Sequence, residues 1–157
     1  MAERESYLVA GKDVPTKIGI ISDIHGNYYA LLKALEIFKK QHIKKYIFLG
    51  DAIGYIPSLK ALDIIFQNSN KFICIKGNHE DMLLNNKASL KKNKVYLLDM
   101  VGSRISSVEK EYINSWQDTL TIKLKDKSFL FMHGSPKDPT YGYVYPDTEL
   151  NQFNVKH

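Results

Sequence analysis

Cysteine, signal-like segments and long apolar runs are scarce or missing in this chain of 157 residues, and each scarcity excludes a class of protein. The single cysteine, Cys74, cannot form an internal disulfide, and its apolar neighbours predict a buried thiol in a reducing cytoplasm. No segment approaches the roughly 20 apolar residues that cross a membrane. Residues 1–5 have no apolar segment behind them of the kind that a secretory signal requires, so we expect a cytoplasmic protein without membrane contact.

Arginine is also scarce, since Arg4 and Arg104 are the two arginines among 22 basic residues. The net charge of +5 could attract phosphorylated partners. Sequence-specific reading of nucleic-acid bases, however, relies on bidentate arginine, and the lysines here are mostly scattered. We therefore interpret the charge as a solvated surface and expect no specific nucleic-acid binding.

From Lys17 onward the chain contains a regular alternation of apolar segments. Residues 18–21, 45–49 and 72–75 are short apolar runs typical of buried strands, and apolar residues recur at helical spacing between them. Three strands that alternate with two helices predict two βαβ units in a parallel sheet. Residues 81–116 favour further helices, and Ser106 with Glu109 predicts a capping box.

The remaining segments predict a hairpin and irregular structure. Residues 120–124 and 129–132 are typical of strands and are separated by a turn at 126–127, so we expect a β-hairpin. Residues 133–157 predict a loop, and residues 1–16 could form a flexible arm or an extra edge strand. His42 and His157 lie outside any motif and are interpreted as surface histidines.

Polar residues of the kind that bind metals follow each predicted strand. Asp23 and His25 follow the first strand, Asp51 the second, Asn78 the third and His133 the hairpin. Ligands of open α/β sheets bind outside the carboxyl ends of the strands, so these loops should converge on one crevice. In extended backbone, residues two positions apart such as Asp23 and His25 point the same way. Mixed nitrogen and oxygen ligands favour Mn, Fe, Zn or Co over a closed structural zinc site.

These segments resemble the calcineurin-like metallophosphoesterases, and most closely the small prokaryotic phosphodiesterases and phosphatases of that superfamily. The family's sequence blocks are matched by residues 23–27, 50–51, 77–80 and 133–134, and the Gly-Asp-x-x-Gly-Tyr of the prokaryotic subgroup by residues 50–55. The resemblance implies an α/β/β/α sandwich with a mostly parallel sheet, helices and one β-hairpin. The domain would cover residues 17–157, after an N-terminal arm of residues 1–16.

The resemblance also implies a site with two divalent metal ions, for which Mn is favoured. Asp23, His25 and Asp51 would hold one ion, while Asp51, Asn78 and His133 would hold the other, so that Asp51 bridges both. A hydroxide held between the metals would attack the phosphorus of a small phosphate ester or a nucleotide-like substrate.

Two further residues are implied to be catalytic. His79 would sit near the leaving oxygen and donate a proton or a hydrogen bond to it. Glu80 would hold the His79 ring in its working orientation. A competing interpretation places Glu80 at a helix N-terminus, where acidic residues are favoured.

The sequence departs from the family pattern in two respects. No Gly-His-x-His motif, which would give one ligand to each metal, follows His133, and the later strands of the family's second sheet have no match. The resemblance therefore implies a domain that is incomplete on its C-terminal side. We expect weak or absent activity in this chain, and one bare face of the first sheet through which the chain could self-associate.

Three functions remain open at this point. The first is metal-dependent hydrolysis of phosphate mono- or diesters, favoured by five intact ligand positions. The second is a protein Ser/Thr phosphatase, although residues 52–54 are Ala-Ile-Gly where that branch carries Asp-Arg-Gly. The third is a non-catalytic interaction module that keeps the fold, which the missing motif favours.

Overall fold

The computed structural model describes residues 7–9, 17–124 and 127–149, with the backbone alone for 7–9 and 124. Its strands form two sheets of three strands each, ordered β2-β3-β4 and β1-β5-β6. The first sheet is entirely parallel, and β5 pairs antiparallel with β6, so the predicted parallel sheet and hairpin are confirmed. The strands are β1 (Tyr7–Val9), β2 (Gly19–Ile21), β3 (Tyr46–Phe48), β4 (Phe72–Cys74), β5 (Thr119–Leu124) and β6 (Lys127–Met132).

Helices connect the strands of the first sheet and fill the segment that follows β4. They are α1 (Tyr28–Lys40), α2 (Lys60–Gln67), α3 (Asn78–Leu84), α4 (Leu90–Tyr96), α5 (Leu98–Gly102) and α6 (Ser107–Asn114). The Asn27 side chain accepts a hydrogen bond from the Ala30 backbone N–H and so caps the start of α1. The predicted capping box of Ser106 and Glu109 begins α6.

The main core lies between the helices and one face of the first sheet. Leu31 of α1 and Leu62 of α2 are fully buried there with Phe48 of β3. Cys74 is buried on β4, as predicted, and burial raises the pKa of its thiol to about 12. A thiol in this state is a packing group rather than a nucleophile.

The other face of the first sheet is largely covered, which corrects the expectation of a bare face. Ile47 and Ile75 are fully buried against Leu120 and Ile122 of β5. Just before β5 begins, the Lys76 backbone N–H donates a hydrogen bond to the carbonyl oxygen of Gln117 (2.8 Å), which connects the chain to this sheet. Ile20 of β2 pairs with Ile47 in register but remains 52% exposed, so coverage stops short of β2.

Several predictions concern the ends of the chain. Backbone pairing of Tyr7–Val9 with residues 121–123 makes β1 an extra edge strand, while residues 1–6 and 10–16 of the predicted arm lie outside the described residues. Residues 125–126, which include Asp126 of the predicted turn, and residues 150–157, with His157, also lie outside them, while Lys127 of that turn begins β6. Residues 133–149 contain neither helix nor strand, as predicted, and His42 is exposed. No helix of the described residues is long and apolar enough to cross a membrane.

Candidate metal centre

The loops that follow β2 and β3 are bonded to each other along the carboxyl edge of the first sheet. The backbone N–H of Asp23 donates to the carbonyl oxygen of Gly50 (3.0 Å), and that of His25 donates to the carbonyl oxygen of Asp51 (2.8 Å). The backbones of Asp23, His25 and Asp51 have φ values of 56°, 48° and 60°. Such left-handed conformations cost about 1–3 kcal/mol each for residues other than glycine, and they are concentrated at functional sites.

These φ values correct one physical reason given for the site. Asp23 and His25 do not lie in extended backbone, so strand alternation does not bring them together. They meet because both residues turn into the left-handed region while the loop is bonded to residues 50 and 51, which leaves His25 Nε2 3.6 Å from Asp23 Oδ1.

The buried carboxylate of Asp51 lies at the centre of the predicted ligands. Its Oδ2 atom is 3.5 Å from His133 Nε2, 3.7 Å from His25 Nε2 and 3.9 Å from His79 Nε2. These separations are too long for good hydrogen bonds. They are close to the roughly 3–3.5 Å between two ligand atoms that each lie about 2.1 Å from one metal. The Asp51 environment therefore fits a cation.

The two histidines predicted as ligands are oriented by backbone carbonyls. His133 Nδ1 lies 2.7 Å from the carbonyl oxygen of Leu49, and His25 Nδ1 lies 3.2 Å from that of Ile53. Metal-binding histidines commonly donate the second ring N–H in this way, which leaves Nε2 free for the metal. The structure thus contains groups of His and Asp side chains that could hold a metal, namely His25, Asp51 and His79, and Asp23, Asp51 and His133.

Asn78 supplies the remaining oxygen at this edge. Its Oδ1 atom lies 3.0 Å from His133 Nε2, and its backbone begins α3 directly after β4. All five predicted ligand residues therefore lie together, from loops that follow β2, β3, β4 and β6.

The electrostatics of the site reflect an excess of negative charge. The contact with the His25 ring lowers the pKa of Asp23 to about 2. Burial opposes the charged form of His133, but the Asp51 carboxylate outweighs burial and raises the pKa of His133 to about 9. Protons on the histidines thus balance the carboxylates, and a divalent cation would compete with those protons.

His79 differs from the two oriented histidines. Its ring is enclosed by the rings of His25, Tyr55 and Tyr96, at centroid distances of 4.6, 5.2 and 4.4 Å. Burial lowers the pKa of His79 to about 4, and its Nδ1 atom has no hydrogen-bond partner among the described residues. The ring lies directly over Gly54, where an added Cβ would overlap it. The packing therefore fixes a neutral imidazole beside Asp51.

Glu80 does not contact the His79 ring as a hydrogen-bond partner, which corrects the role implied by the resemblance. Its fully buried carboxylate accepts hydrogen bonds from the backbone N–H groups of Asp51 (2.8 Å), Ala52 (2.8 Å) and Gly77 (2.9 Å). The backbone N–H groups of the loop after β3 and of the start of α3 have no carbonyl partner within a helix, so the carboxylate of Glu80 accepts their hydrogen bonds. Glu80 thus acts on Asp51, and its place in the first turn of α3 matches the competing interpretation.

A hydrogen bond between Tyr141 and Asp81, neither of which was predicted as a site residue, holds the loop after β6 against the site. The Tyr141 hydroxyl donates a hydrogen bond to Asp81 Oδ2 of α3 (2.5 Å), and Lys87 pairs with the same oxygen (2.9 Å). The loop encloses a cavity of about 250 Å³ beside the predicted ligands. An aromatic stretch at 141–146 was a visible signal in the sequence, but only the fold shows which element it contacts. The cavity is lined by Asp23, Asn78, His133, Tyr141, Tyr143 and Val144, among others.

Sequence comparison identifies the class of protein that this fold and site define. The profile of the family described as calcineurin-like phosphoesterase matches residues 16–155. The chain therefore belongs to the calcineurin-like phosphoesterase family, whose members are metal-dependent hydrolases of phosphate esters. This match confirms the family that residues 23–27, 50–55, 77–80 and 133–134 indicated.

Individual relatives extend beyond the part that this chain matches. Protein MJ0912 of Methanocaldococcus jannaschii is 28% identical over 144 residues, which cover 90% of this chain and 59% of that protein. The serine/threonine-protein phosphatase 2B catalytic subunit A2 of Saccharomyces cerevisiae is 25% identical over 150 residues, which cover 89% of this chain and 23% of that protein. The structure of PH1004 from Pyrococcus horikoshii OT3 matches with a TM-score of 0.71 at 20% identity, and the match covers 84% of this chain and 60% of that protein. The chain thus spans 60% or less of these relatives, and the structural match supports the fold.

Proposed function

We propose that this chain binds two divalent metal ions, with Mn favoured, and hydrolyses phosphate mono- or diesters. The observation that carries the proposal is the buried Asp51 carboxylate, which three imidazole nitrogens face at distances of 3.5–3.9 Å. In this assignment Asp51 is shared by the two ions. Asp23 and His25 complete one ligand set, and Asn78 and His133 complete the other.

The metals and the side chains have separate tasks in this proposal. Bound metal ions would acidify a water molecule and neutralise charge on the phosphoryl oxygens. His79 lies on the same side of Asp51 as the ligands, and with a pKa of about 4 it is neutral at pH 7. We therefore assign to its Nε2–H a hydrogen bond to the leaving oxygen, in place of full proton transfer from an imidazolium.

Glu80 is a positioning residue in this scheme. Its carboxylate holds the backbone N–H of Asp51 and that of Gly77, the residue before Asn78. One side chain therefore fixes the spacing between two loops that each provide a proposed ligand. Such buried, charge-assisted hydrogen bonds are among the strongest in proteins.

The ligand count sets the expected strength of the site. Asp23, His25, Asp51, Asn78 and His133 give each proposed ion three protein ligands, with Asp51 counted twice. Ligand sets of this size leave further coordination positions to water, so we expect weak metal affinity and slow turnover from this chain alone.

The test is Mn-dependent hydrolysis of bis-p-nitrophenyl phosphate and p-nitrophenyl phosphate by the purified chain. We expect slow hydrolysis that a chelator abolishes and that Asp51→Asn reduces to background, while His42→Asn, at an exposed position, leaves it unchanged. Hydrolysis that survives Asp51→Asn would remove the proposed mechanism. Metal binding with no hydrolysis of either ester would support the interaction module instead.

A protein phosphatase function is a second candidate, supported by the similarity to the yeast phosphatase 2B subunit. The structure provides an argument against it, because Ala52 and Ile53 are fully buried and their side chains face the core. No phosphate-binding arginine occupies the turn after Asp51. Faster hydrolysis of a phosphoserine peptide than of bis-p-nitrophenyl phosphate would favour the phosphatase.

A further inference from the structure

Two tyrosines in the loop after β6 are unusually exposed. Tyr143 and Tyr145 are 66% and 60% exposed, and their rings lie nearly parallel, with 6.0 Å between centroids and 16° between planes. An exposed pair of this kind next to a cavity is a surface on which a flat ligand can stack.

Tyr143 borders the same cavity as the proposed ligands Asp23, Asn78 and His133. Because Tyr143 lines this cavity together with the proposed ligands, its ring can contact the organic part of a phosphoester whose phosphate lies at those ligands.

The loop that carries Tyr143 is held in place by hydrogen bonds of the two residues before it, Tyr141 and Gly142. The Tyr141 hydroxyl bonds Asp81 of α3, and the Tyr141 backbone N–H donates to Asp138 Oδ1 (2.9 Å). The Gly142 backbone N–H donates to the carbonyl oxygen of Asp138 (3.0 Å). Because Tyr143 follows directly, its ring is presented by an anchored turn, which lowers the entropic cost of stacking a ligand on it.

The cavity is large enough for only part of a nucleotide-sized ester. Its volume of about 250 Å³ lies below the roughly 300 Å³ at which pockets for drug-sized ligands begin. A phosphate with an adjoining sugar-sized group would fill it, so a larger ester must extend outward over Tyr143.

We propose that Tyr143, backed by Tyr145, is a specificity-determining residue that stacks the flat aromatic group of the phosphoester, such as a nucleobase. This inference rests on the proposed phosphoesterase function and names the class of ester that the site prefers. Stacking of a base on an aromatic side chain corresponds to about 5- to 150-fold in affinity.

The experiment compares AMP with ribose 5-phosphate, which carries an anomeric hydroxyl in place of the base, in calorimetric titrations of the Mn-loaded full chain. We expect AMP to bind at least about 5-fold more tightly than ribose 5-phosphate. Tyr143→Ala should bring the ratio close to one by weakening AMP alone. Tyr143→Phe keeps the ring and should preserve the preference, which separates stacking from any role of the hydroxyl.

Equal affinities of the wild-type chain for the two ligands overturn the inference, whether both bind or neither does. A Tyr143→Ala variant that weakens both ligands equally also overturns it, because the ring would then act on the phosphate site. Failure of the proposed function is distinguishable. It would appear as absent Mn-dependent binding of inorganic phosphate and of both organic ligands, whereas failure of the inference alone leaves inorganic phosphate and ribose 5-phosphate bound in the presence of Mn²⁺.

Discussion

The floor and the rim of the proposed metal site differ in how they are held. The floor consists of Asp51, Asn78, His79 and Glu80, all of which are buried at the carboxyl ends of β3 and β4. The rim consists of Asp23, Tyr55, Tyr143 and Tyr145, all of which are largely exposed. Each floor residue is fixed by backbone hydrogen bonds or ring packing, whereas much of the rim surface faces solvent.

This difference indicates a division of labour. A change in the floor disturbs groups that have no access to water, so catalysis and stability should respond strongly. A change in the rim alters what a substrate touches, and it should affect selectivity more than folding. The four predictions below test that division, beginning with the largest expected effect.

Replacement of His79 by Ala should lower kcat by about 10²- to 10³-fold, the range for loss of one hydrogen-bond donor to charge that develops in the transition state. Metal binding should persist because His79 is not one of the proposed ligands. Steady-state kinetics with bis-p-nitrophenyl phosphate and a parallel Mn titration measure both quantities. Loss of metal together with activity would make His79 a ligand, as its distance of 3.9 Å from Asp51 also permits.

Metal affinity should depend steeply on pH. The pKa of His133 is raised to about 9, so below that pH its ring is protonated and cannot act as a ligand until it loses the proton. The dissociation constant for Mn should therefore fall about tenfold per pH unit between pH 7 and 9, and level off above that. A constant that does not change with pH over this interval would contradict a role for His133 as a ligand.

Replacement of Glu80 by Gln should reduce the free energy of unfolding by about 1–3 kcal/mol, since an amide NH₂ cannot accept the N–H groups that one carboxylate oxygen now binds. Urea denaturation of the metal-free chain measures this change. Glu111→Gln on the exposed face of α6 is the matched control and should have almost no effect. Equal stability of the two variants would show that the Glu80 contacts do not hold the floor.

Replacement of Tyr141 by Phe should have the smallest effect, with a loss of about 0.5–1.5 kcal/mol in unfolding free energy from one partly exposed hydrogen bond. The hydroxyl bond to Asp81 anchors the loop of Tyr143, so the preference for AMP over ribose 5-phosphate should narrow. Inorganic phosphate should bind as before. A loss of phosphate binding would show that Tyr141 supports the floor, and it would contradict the separation of floor and rim.

The sequence predicted the parts of the molecule that depend on local pattern. Apolar spacing was sufficient for β2, α1, β3, α2 and β4, and their order implied that Asp51 and Asn78 would lie at neighbouring strand ends. The capping box of α6 was also readable, because Ser106 and Glu109 are three positions apart. The capping box depends on a few neighbouring residues. The placement of Asp51 and Asn78 follows from the alternation of strands and helices, which implies a parallel sheet.

Features that depend on several distant segments could not be predicted. The left-handed backbone of Asp23 and His25 depends on hydrogen bonds to the loop after β3. The partners of Glu80 come from two loops that are 25 or more residues apart in sequence, as Asp51 and Gly77 show. Coverage of Ile47 by β5 likewise required the path of the chain after α6, which apolar spacing does not specify.

The central claim is that Asp51 is the shared ligand of a two-metal site. Equilibrium dialysis of the chain against a series of Mn²⁺ concentrations at pH 8, with elemental analysis of both compartments, tests it most directly in the wild type and in Asp51→Asn. We predict that binding approaches two Mn per wild-type chain as the Mn²⁺ concentration is raised, and that affinity falls more than about 100-fold in the variant, beyond the loss typical of an outer-shell partner. Equal metal content in the two proteins, or no specific binding by the wild type, would contradict the account.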